Sequence, residues 1–335
     1  MNRIDDKLVS AILTTHNRRE LLKCAIESVL NQTYGNIELI VVDDNSSDDT
    51  QEFARSLQDK IIYMRHDECL GGAAARMTGS KRAGGEYLAF LDDDDQWEAE
   101  KVEKQVAIAE SCSPDCAVVT CGAKIFVNES TEPSFNIPRI NGSIREGILK
   151  KGLNTIPSCH LFKKDIYDKI GGYDLDLPAH NEHDIWMKMA DMNYQAIAMN
   201  EPLVILHENN RPTMMGDVDN RIRAFRLFYN KWEKRVYEWY GEKMGRLFWK
   251  RYLSAKMLDN AILLVQRNNI KGAWKMFRET APYISWQNTG RILLLLAYLI
   301  VPDTIIDVLR IWKKRFKSLL INRTKRSETY VNKQE

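Results

Sequence analysis

Apolar residues in the N-terminal part of the chain fall into short runs separated by stretches of helical period. Leu8–Leu13, Ile37–Val42, Ile61–Met64 and Tyr87–Leu91 are nearly continuous apolar segments of strand length, the pattern of strands buried on both faces. From Arg19 to about Asn31 the period changes, and Leu22, Ile26, Val29 and Leu30 share one helical face. Helices are also predicted over Thr50–Leu57 and Ala73–Ala83, the latter opened by Gly71-Gly72 and closed by Gly84-Gly85 in the manner of a glycine C-cap. This β-α-β-α-β-α-β order predicts an α/β fold with a doubly wound, mostly parallel sheet and right-handed crossovers. A helix over Glu98–Glu110 and a strand over Ala117–Phe126 extend it, and the polar, Pro-containing stretch Asn128–Asn141 reads as a mobile loop. Beyond lie Cys159–Phe162, the turn Gly171-Gly172-Tyr173-Asp174, and a helix entered through Asn181 to Trp186 and ending near Met192. From Asp219 the pattern is almost wholly helical, with a polar tail after Asn322.

The strand Tyr87–Leu91 runs straight into Asp92, Asp93, Asp94 and Asp95. Adjacent carboxylates repel and raise one another's pKa, and a cation relieves the repulsion best. Hard divalent ions such as Mg²⁺ and Mn²⁺ take oxygen ligands and often share phosphates with a protein. In an open α/β sheet, ligands bind just beyond the carboxyl ends of the strands. The plainer alternative is a solvated acidic loop capping a helix near Trp97. Against it stands Asp43-Asp44, a second acidic strand end that the topology puts on the same edge. A nucleotide–metal site requires that coincidence.

The remaining composition narrows the field. With 335 residues, 44% hydrophobic and 28% charged, the chain is ordinary globular protein of one large or two modest domains. Met1 to Lys7 is polar, so no secretory leader is expected, and no run reaches the roughly 20 apolar residues of a transmembrane helix. Cys112, Cys116 and Cys121 lack Cys-x-x-Cys spacing and a nearby His pair, which favours reduced thiols of a cytosolic protein over zinc. Adjacent strand residues point to opposite faces, which discounts Cys159-His160 as a nucleophilic dyad. No Gly-x-Gly-x-x-Gly follows the first strand, which argues against a dehydrogenase.

Together these segments resemble the catalytic domain of glycosyltransferase family 2, inverting enzymes of GT-A fold from bacterial surface-polysaccharide assembly. The matching pieces are Val9 to Asn17, Leu30 to Tyr34, Glu38 to Thr50, Gly84 to Tyr87 with Leu91 to Trp97, and Gly171 to Asp174 with Asn181 to Trp186. The resemblance covers roughly residues 8–210. It implies a GT-A domain over 1–215, with a donor half to about 115 and an acceptor half from 116, then a basic helical region over 216–322 and a tail over 323–335. It implies transfer of a sugar from a nucleotide-sugar, most often a UDP-sugar, to a glycan or lipid-linked acceptor. Thr14, Asp44, Arg76 and Asp93 would hold the nucleotide-sugar, and Asp92-x-Asp94 fits the family's DXD metal motif for Mn²⁺ or Mg²⁺. His207 would complete the metal shell or be a structural histidine. Glu182 occupies the position of the general base, where the family has Asp. Asp184 is its local rival, as base or support, or as helix N-terminal charge. Met77 replaces a common Asn, so one polar contact near the donor is expected to be missing. Two alternatives remain: a catalytically silent relative serving as a nucleotide-binding scaffold, and a sugar-nucleotide pyrophosphorylase. The latter normally has a Gly-rich, Arg/Lys-bearing loop after its first strand, which Thr14-Thr15-His16-Asn17 lacks.

The net charge of +2 hides a polarity that bears on partners. Residues 1–220 hold 23 Lys and Arg against 37 Asp and Glu, whereas residues 221–335 hold 25 against 9. The basic part faces something anionic. The apolar run 291–301 is too short to span a bilayer. Ile305, Leu309, Trp312, Phe316 and Leu319/Leu320 form a stripe flanked by Lys313, Lys314, Arg315 and Lys317, the pattern of an in-plane membrane helix. Packing of that stripe on the catalytic domain is the alternative. No nucleic-acid-binding motif accompanies the charge, so nucleic acid is not expected as a partner. The expected location is cytoplasmic, peripheral on the inner face of the plasma membrane.

Overall fold

A computed structural model describes residues 7–57, 59–127, 131–153, 156–208, 218–266 and 268–284, with 290, 292, 293 and 295. The stripe over 305–320, most of the run 291–301 and the tail lie outside the described residues. Two compact units divide the chain at 245/246.

The first unit runs β1 (Val9–Thr15), α1 (Arg19–Leu30), β2 (Ile37–Asp43), α2 (Thr50–Ser56), β3 (Ile62–Arg65), α3 (Gly72–Arg82), β4 (Tyr87–Asp92), β5 (Asp95–Trp97), α4 (Lys101–Ser111) and β6 (Cys116–Val127). It continues with β7 (Ser134–Asn136), β8 (Gly142–Ser143), α5 (Ile144–Lys151), β9 (His160–Lys163), α6 (Lys164–Lys169), α7 (Asn181–Asp191) and β10 (Gln195–Glu208). Helix α8 (Val218–Gln266) is interrupted at Gly241 (φ 73°, ψ 165°) and leads into α9 (Ile270–Thr280) of the second unit.

The expected apolar runs are strands, in the spatial order β3-β2-β1-β4-β9-β6-β10-β5, with β7 beside β6 and β8 beside β10. The first four are mutually parallel, as are β6 and β10, while β9 and β5 run antiparallel to their neighbours. Every residue of β1 is buried, as a central strand covered on both faces requires. Leu22, Ala25, Ile26 and Val29 of α1 and Val102, Val106 and Ala109 of α4 close one core with Leu13, Leu91 and Val119. Each Val, Leu or Ile among them contributes roughly 1.5–3 kcal/mol by leaving water. Register then fixes the edge that matters. Thr14 lies opposite Asp92 and Thr15 opposite Asp43, so both acidic strand ends share one rim.

Three expectations are corrected. The helix after the tetrad begins at Lys101, because Asp95–Trp97 pairs with β10 and buries Trp97, whose Nε1 donates to the Ser158 carbonyl at 2.9 Å. Helix α3 has no glycine C-cap: Ala83 is extended, and neither Gly84 nor Gly85 has positive φ. Glycine at 85 answers instead to close backbone approach, since a Cβ there would lie 2.7 Å from the Leu8 carbonyl oxygen and the Ser10 nitrogen. Within the stretch read as a mobile loop, Ser134–Asn136 pairs with β6.

Candidate active site

The ends of β1 and β4 and the first turn of α3 enclose a cleft of about 430 Å³. Thr14, Asp44, Arg76, Asp92, Asp93 and Asp94, distant in sequence, all line it, with Thr15, His16 and Arg18. The four aspartates of the tetrad have separate environments. Asp93 is buried and accepts from Thr15 Oγ1 at 2.8 Å and Arg18 Nη1 at 2.9 Å. Burial pushes its carboxyl up to about 6, against the opposing pull of Arg18. Asp94 is open to solvent and accepts from the same Nη1 at 3.0 Å. Asp92 pairs with Arg76 Nη2. Asp95 is buried under a hydrogen bond from the Ser158 hydroxyl, and desolvation, then Asp92, hold its carboxyl well above the usual range.

Oxygens of Asp92, Asp94 and Asp95 can converge within 4.8 Å of one another. An all-carboxylate set of this kind fits a hard divalent cation. His207 does not belong to that group. In β10 it follows Leu206, the residue paired with Asp95, and its exposed ring stacks on Phe126 at 5.6 Å. Successive strand residues face opposite ways, so the residue beside Leu206 leaves the tetrad's side.

Asp44 is buried at the end of β2, where the protein itself fills its acceptor capacity. The N–H groups of Leu70 and Gly71 donate at 2.8 and 2.7 Å, Cys69 Sγ at 3.2 Å, and His66 Nδ1 is bonded at 2.8 Å. Burial alone would raise this carboxyl. The hydrogen bonds, His66 first, outweigh it and hold the group below its ordinary value.

Across Arg76 lies a second recess of about 320 Å³, lined by Pro157, His180, Asn181 and Glu182 with Arg76 itself. Glu182 sits in the first turn of α7 with its Oε1 at 3.9 Å from Arg76 Nη1. Its Oε2 is buried with no hydrogen-bond partner among the described residues. Desolvation pushes this carboxyl up to about 7, partly offset by Arg76 and then by Tyr173 beside it. Asp184 is elsewhere. Two helical residues on, it points about 200° away and is fully buried against α8, accepting from Trp232 Nε1 at 2.8 Å and pairing with Lys231 Nζ at 2.7 Å and Lys188 Nζ at 3.2 Å. Met77 turns from the donor cleft. Its sulfur accepts from the Tyr173 N–H at 3.2 Å, and a Cβ on Gly172 (φ +55°) would meet it at 2.6 Å. Sequence reasoning missed Arg18, Thr15 and Ser158, which serve the tetrad directly. No signal in the sequence separates Arg18 from its neighbour Arg19, and only the fold brings it to the tetrad.

A parallel β3-β2-β1-β4 half-sheet with an acidic rim, continued by the mixed β9-β6-β10 half, is the GT-A glycosyltransferase architecture. The fold is shared with S. aureus TarS 1-349 in complex with UDP-GlcNAc (TM-score 0.64, 14% identity, 87% of each chain covered). It is also shared with the mannosyltransferase PcManGT from Pyrobaculum calidifontis in complex with GDP-Man and Mn²⁺ (TM-score 0.52, 19% identity, 92% of this chain and 83% of that one). Residues 10–171 match the model of glycosyl transferase family 2. The Escherichia coli UDP-Glc:alpha-D-GlcNAc-diphosphoundecaprenol beta-1,3-glucosyltransferase WfaP is 41% identical over 239 residues, covering 69% of this chain and 83% of WfaP. The chain belongs to glycosyl transferase family 2 and is a glycosyltransferase.

Proposed function

We propose that this enzyme transfers a sugar, with inversion, from a UDP-sugar to a lipid-diphosphate-linked glycan acceptor in cell-surface polysaccharide assembly. The observation that carries the reading is the position of Arg76, which touches Asp92 of the acidic rim on one side and faces Glu182 on the other. Donor and acceptor sites of a displacement reaction must meet in this way. Thr14, Asp44 and Asp93 form the nucleoside end, Asp44 by shaping the 66–71 loop. Asp92 and Asp94, with Asp95, would hold Mn²⁺ or Mg²⁺, which supplies Lewis-acid neutralisation of the diphosphate. Glu182 removes the proton of the acceptor hydroxyl: it lines the recess beside Arg76, and a carboxyl near 7 suits a general base at neutral pH. WfaP's name supplies the first substrates to try, UDP-Glc and GlcNAc-diphosphoundecaprenol. Incubated with these and Mn²⁺, the protein should release UDP. Asp94→Ala should reduce that rate by ~10³-fold, the scale of several kcal/mol of lost charge stabilisation. An unchanged rate rejects the metal assignment.

We further infer that the enzyme works peripherally at the anionic inner face of the plasma membrane. No helix among the described residues is long and apolar enough to cross a membrane. Helix α9 exposes Ile270 and Trp274 on one stripe, beside Lys271 and Arg278, a combination suited to anionic headgroups. Co-sedimentation with phosphatidylglycerol vesicles should exceed that with phosphatidylcholine vesicles, and should fall about fivefold or more in Ile270→Ser/Trp274→Ser through the lost apolar insertion. Equal sedimentation of parent and variant rejects α9 as the contact.

A further inference from the structure

Arg18 is the cation that Asp93 and Asp94 recruit from outside α3. It lies between β1 and α1, immediately before the helix, and one nitrogen, Nη1, is shared between Asp93 Oδ1 at 2.9 Å and Asp94 Oδ2 at 3.0 Å. The two anchors are unequal. The Asp93 side chain is 6% exposed and is also held by Thr15, whereas that of Asp94 is 45% exposed. Breaking a buried pair strands a desolvated charge, while an exposed pair contributes little. Arg18 therefore has one fixed anchor and one it can release. Its side chain is itself 31% exposed, and it lines both the main cleft and a neighbouring recess of about 450 Å³. Space exists for the guanidinium to shift without disturbing the core.

We infer that Arg18 is a positioning residue that competes with the divalent cation for Asp94 and, held by Asp93, remains in the cleft as a second positive charge for the nucleotide diphosphate. This rests on the donor-site reading above. A divalent ion on Asp94 repels the guanidinium across the same carboxylate and weakens this exposed pair. The guanidinium then turns to the next anion in reach, and a guanidinium matches phosphate geometry. Arg18 thus lowers the affinity for the ion alone and raises the affinity for ion and nucleotide together. Removing it moves the two affinities in opposite directions, which loss of a structural prop would not do.

The test uses the full chain as parent, Arg18→Gln and Arg18→Lys. Free Mn²⁺ is titrated alone and read by its paramagnetic resonance, and UDP is titrated calorimetrically at saturating Mn²⁺. In Arg18→Gln, Mn²⁺ alone should bind roughly tenfold tighter and UDP roughly tenfold weaker, the scale of one charge-assisted contact. Arg18→Lys keeps a charge at the buried anchor but reaches less far. It should give the same signs with smaller shifts, and it carries the test if the Gln variant does not fold. Mn²⁺ affinity that is unchanged or reduced in a folded variant overturns the inference while leaving the donor site standing. A parent protein that binds neither Mn²⁺ nor UDP overturns the donor-site reading, and the inference with it.

Discussion

At the end of β2, Asp44 is surrounded by four protein donors: two backbone N–H groups, a thiol and an imidazole. At the end of β4, Asp92, Asp93 and Asp94 are met chiefly by the heads of two long side chains, Arg18 and Arg76. Both regions are acidic strand ends on one rim, yet their neutralisation differs in kind. Backbone donors cannot move without moving the loop, so Asp44 is fixed. Guanidinium groups on flexible stems can be exchanged for another cation. The same contrast recurs within one turn of α7, where Asp184 is held by Trp232 and Lys231 at 2.8 and 2.7 Å and by Lys188 at 3.2 Å, while the nearest cation to Glu182, Arg76, stands 3.9 Å away. On the proposed reading, carboxylates with fixed partners build the site, and those with exchangeable or distant partners act in it.

The sharpest way to break this contrast is in α7. Glu182→Gln should lower turnover by about 10²–10⁴-fold, the range of general acid–base catalysis, with UDP affinity within about twofold of the parent, since other residues hold the donor. Asp184→Ala should act on the fold, destabilising it by roughly 3–5 kcal/mol in denaturant titration because two ammonium groups lose their buried partner. If Asp184→Ala matched Glu182→Gln in turnover without loss of stability, the two residues would have to exchange roles. Asp44→Ala tests the fixed strand end. It leaves several donors unsatisfied at about 1–3 kcal/mol each, so both stability and UDP affinity should fall. A loss of affinity with unchanged stability would mean that Asp44 binds the base directly and does not act through its loop.

The smallest effect is in pH dependence. A Glu182 carboxyl at about 7 in the folded protein, against about 4.3 when unfolded, keeps its proton longer in the native state. Native protein therefore binds more protons between those values, and stability falls as pH rises through that window. Glu182→Gln removes the penalty. Its melting temperature should exceed the parent's by a few °C at pH 8 and match it near pH 4. In the parent, kcat/KM should climb through about pH 7 as the base deprotonates.

Much of this was legible in sequence because strand periodicity and chain order are local properties. The runs at β1, β2 and β4 determined the parallel half-sheet, and topology alone put Asp44 and Asp92–Asp95 on one rim. The apolar code cannot count pairing partners, which is why the short strand Asp95–Trp97 beside β10 went unread before the helix expected from Glu98. It also cannot tell a glycine needed for positive φ from one needed for contact, hence the difference at Gly85.

Pairing, in contrast to position along the chain, was decided by the tertiary structure. Glu182 and Asp184 are two residues apart and chemically alike, and only the packing of α8 commits one of them and leaves the other facing Arg76. Arg18 gave no more signal than any other exposed arginine until the sheet placed it against Asp93 and Asp94. The sequence by itself determined the class of fold, the acidic rim and its place beyond the strand ends, because hydrophobic burial and connectivity are written along the chain. Which carboxylates are paired, exposed or desolvated depends on groups distant in sequence. Electrostatic energies vary steeply with distance and burial, and those quantities exist only once the chain has folded.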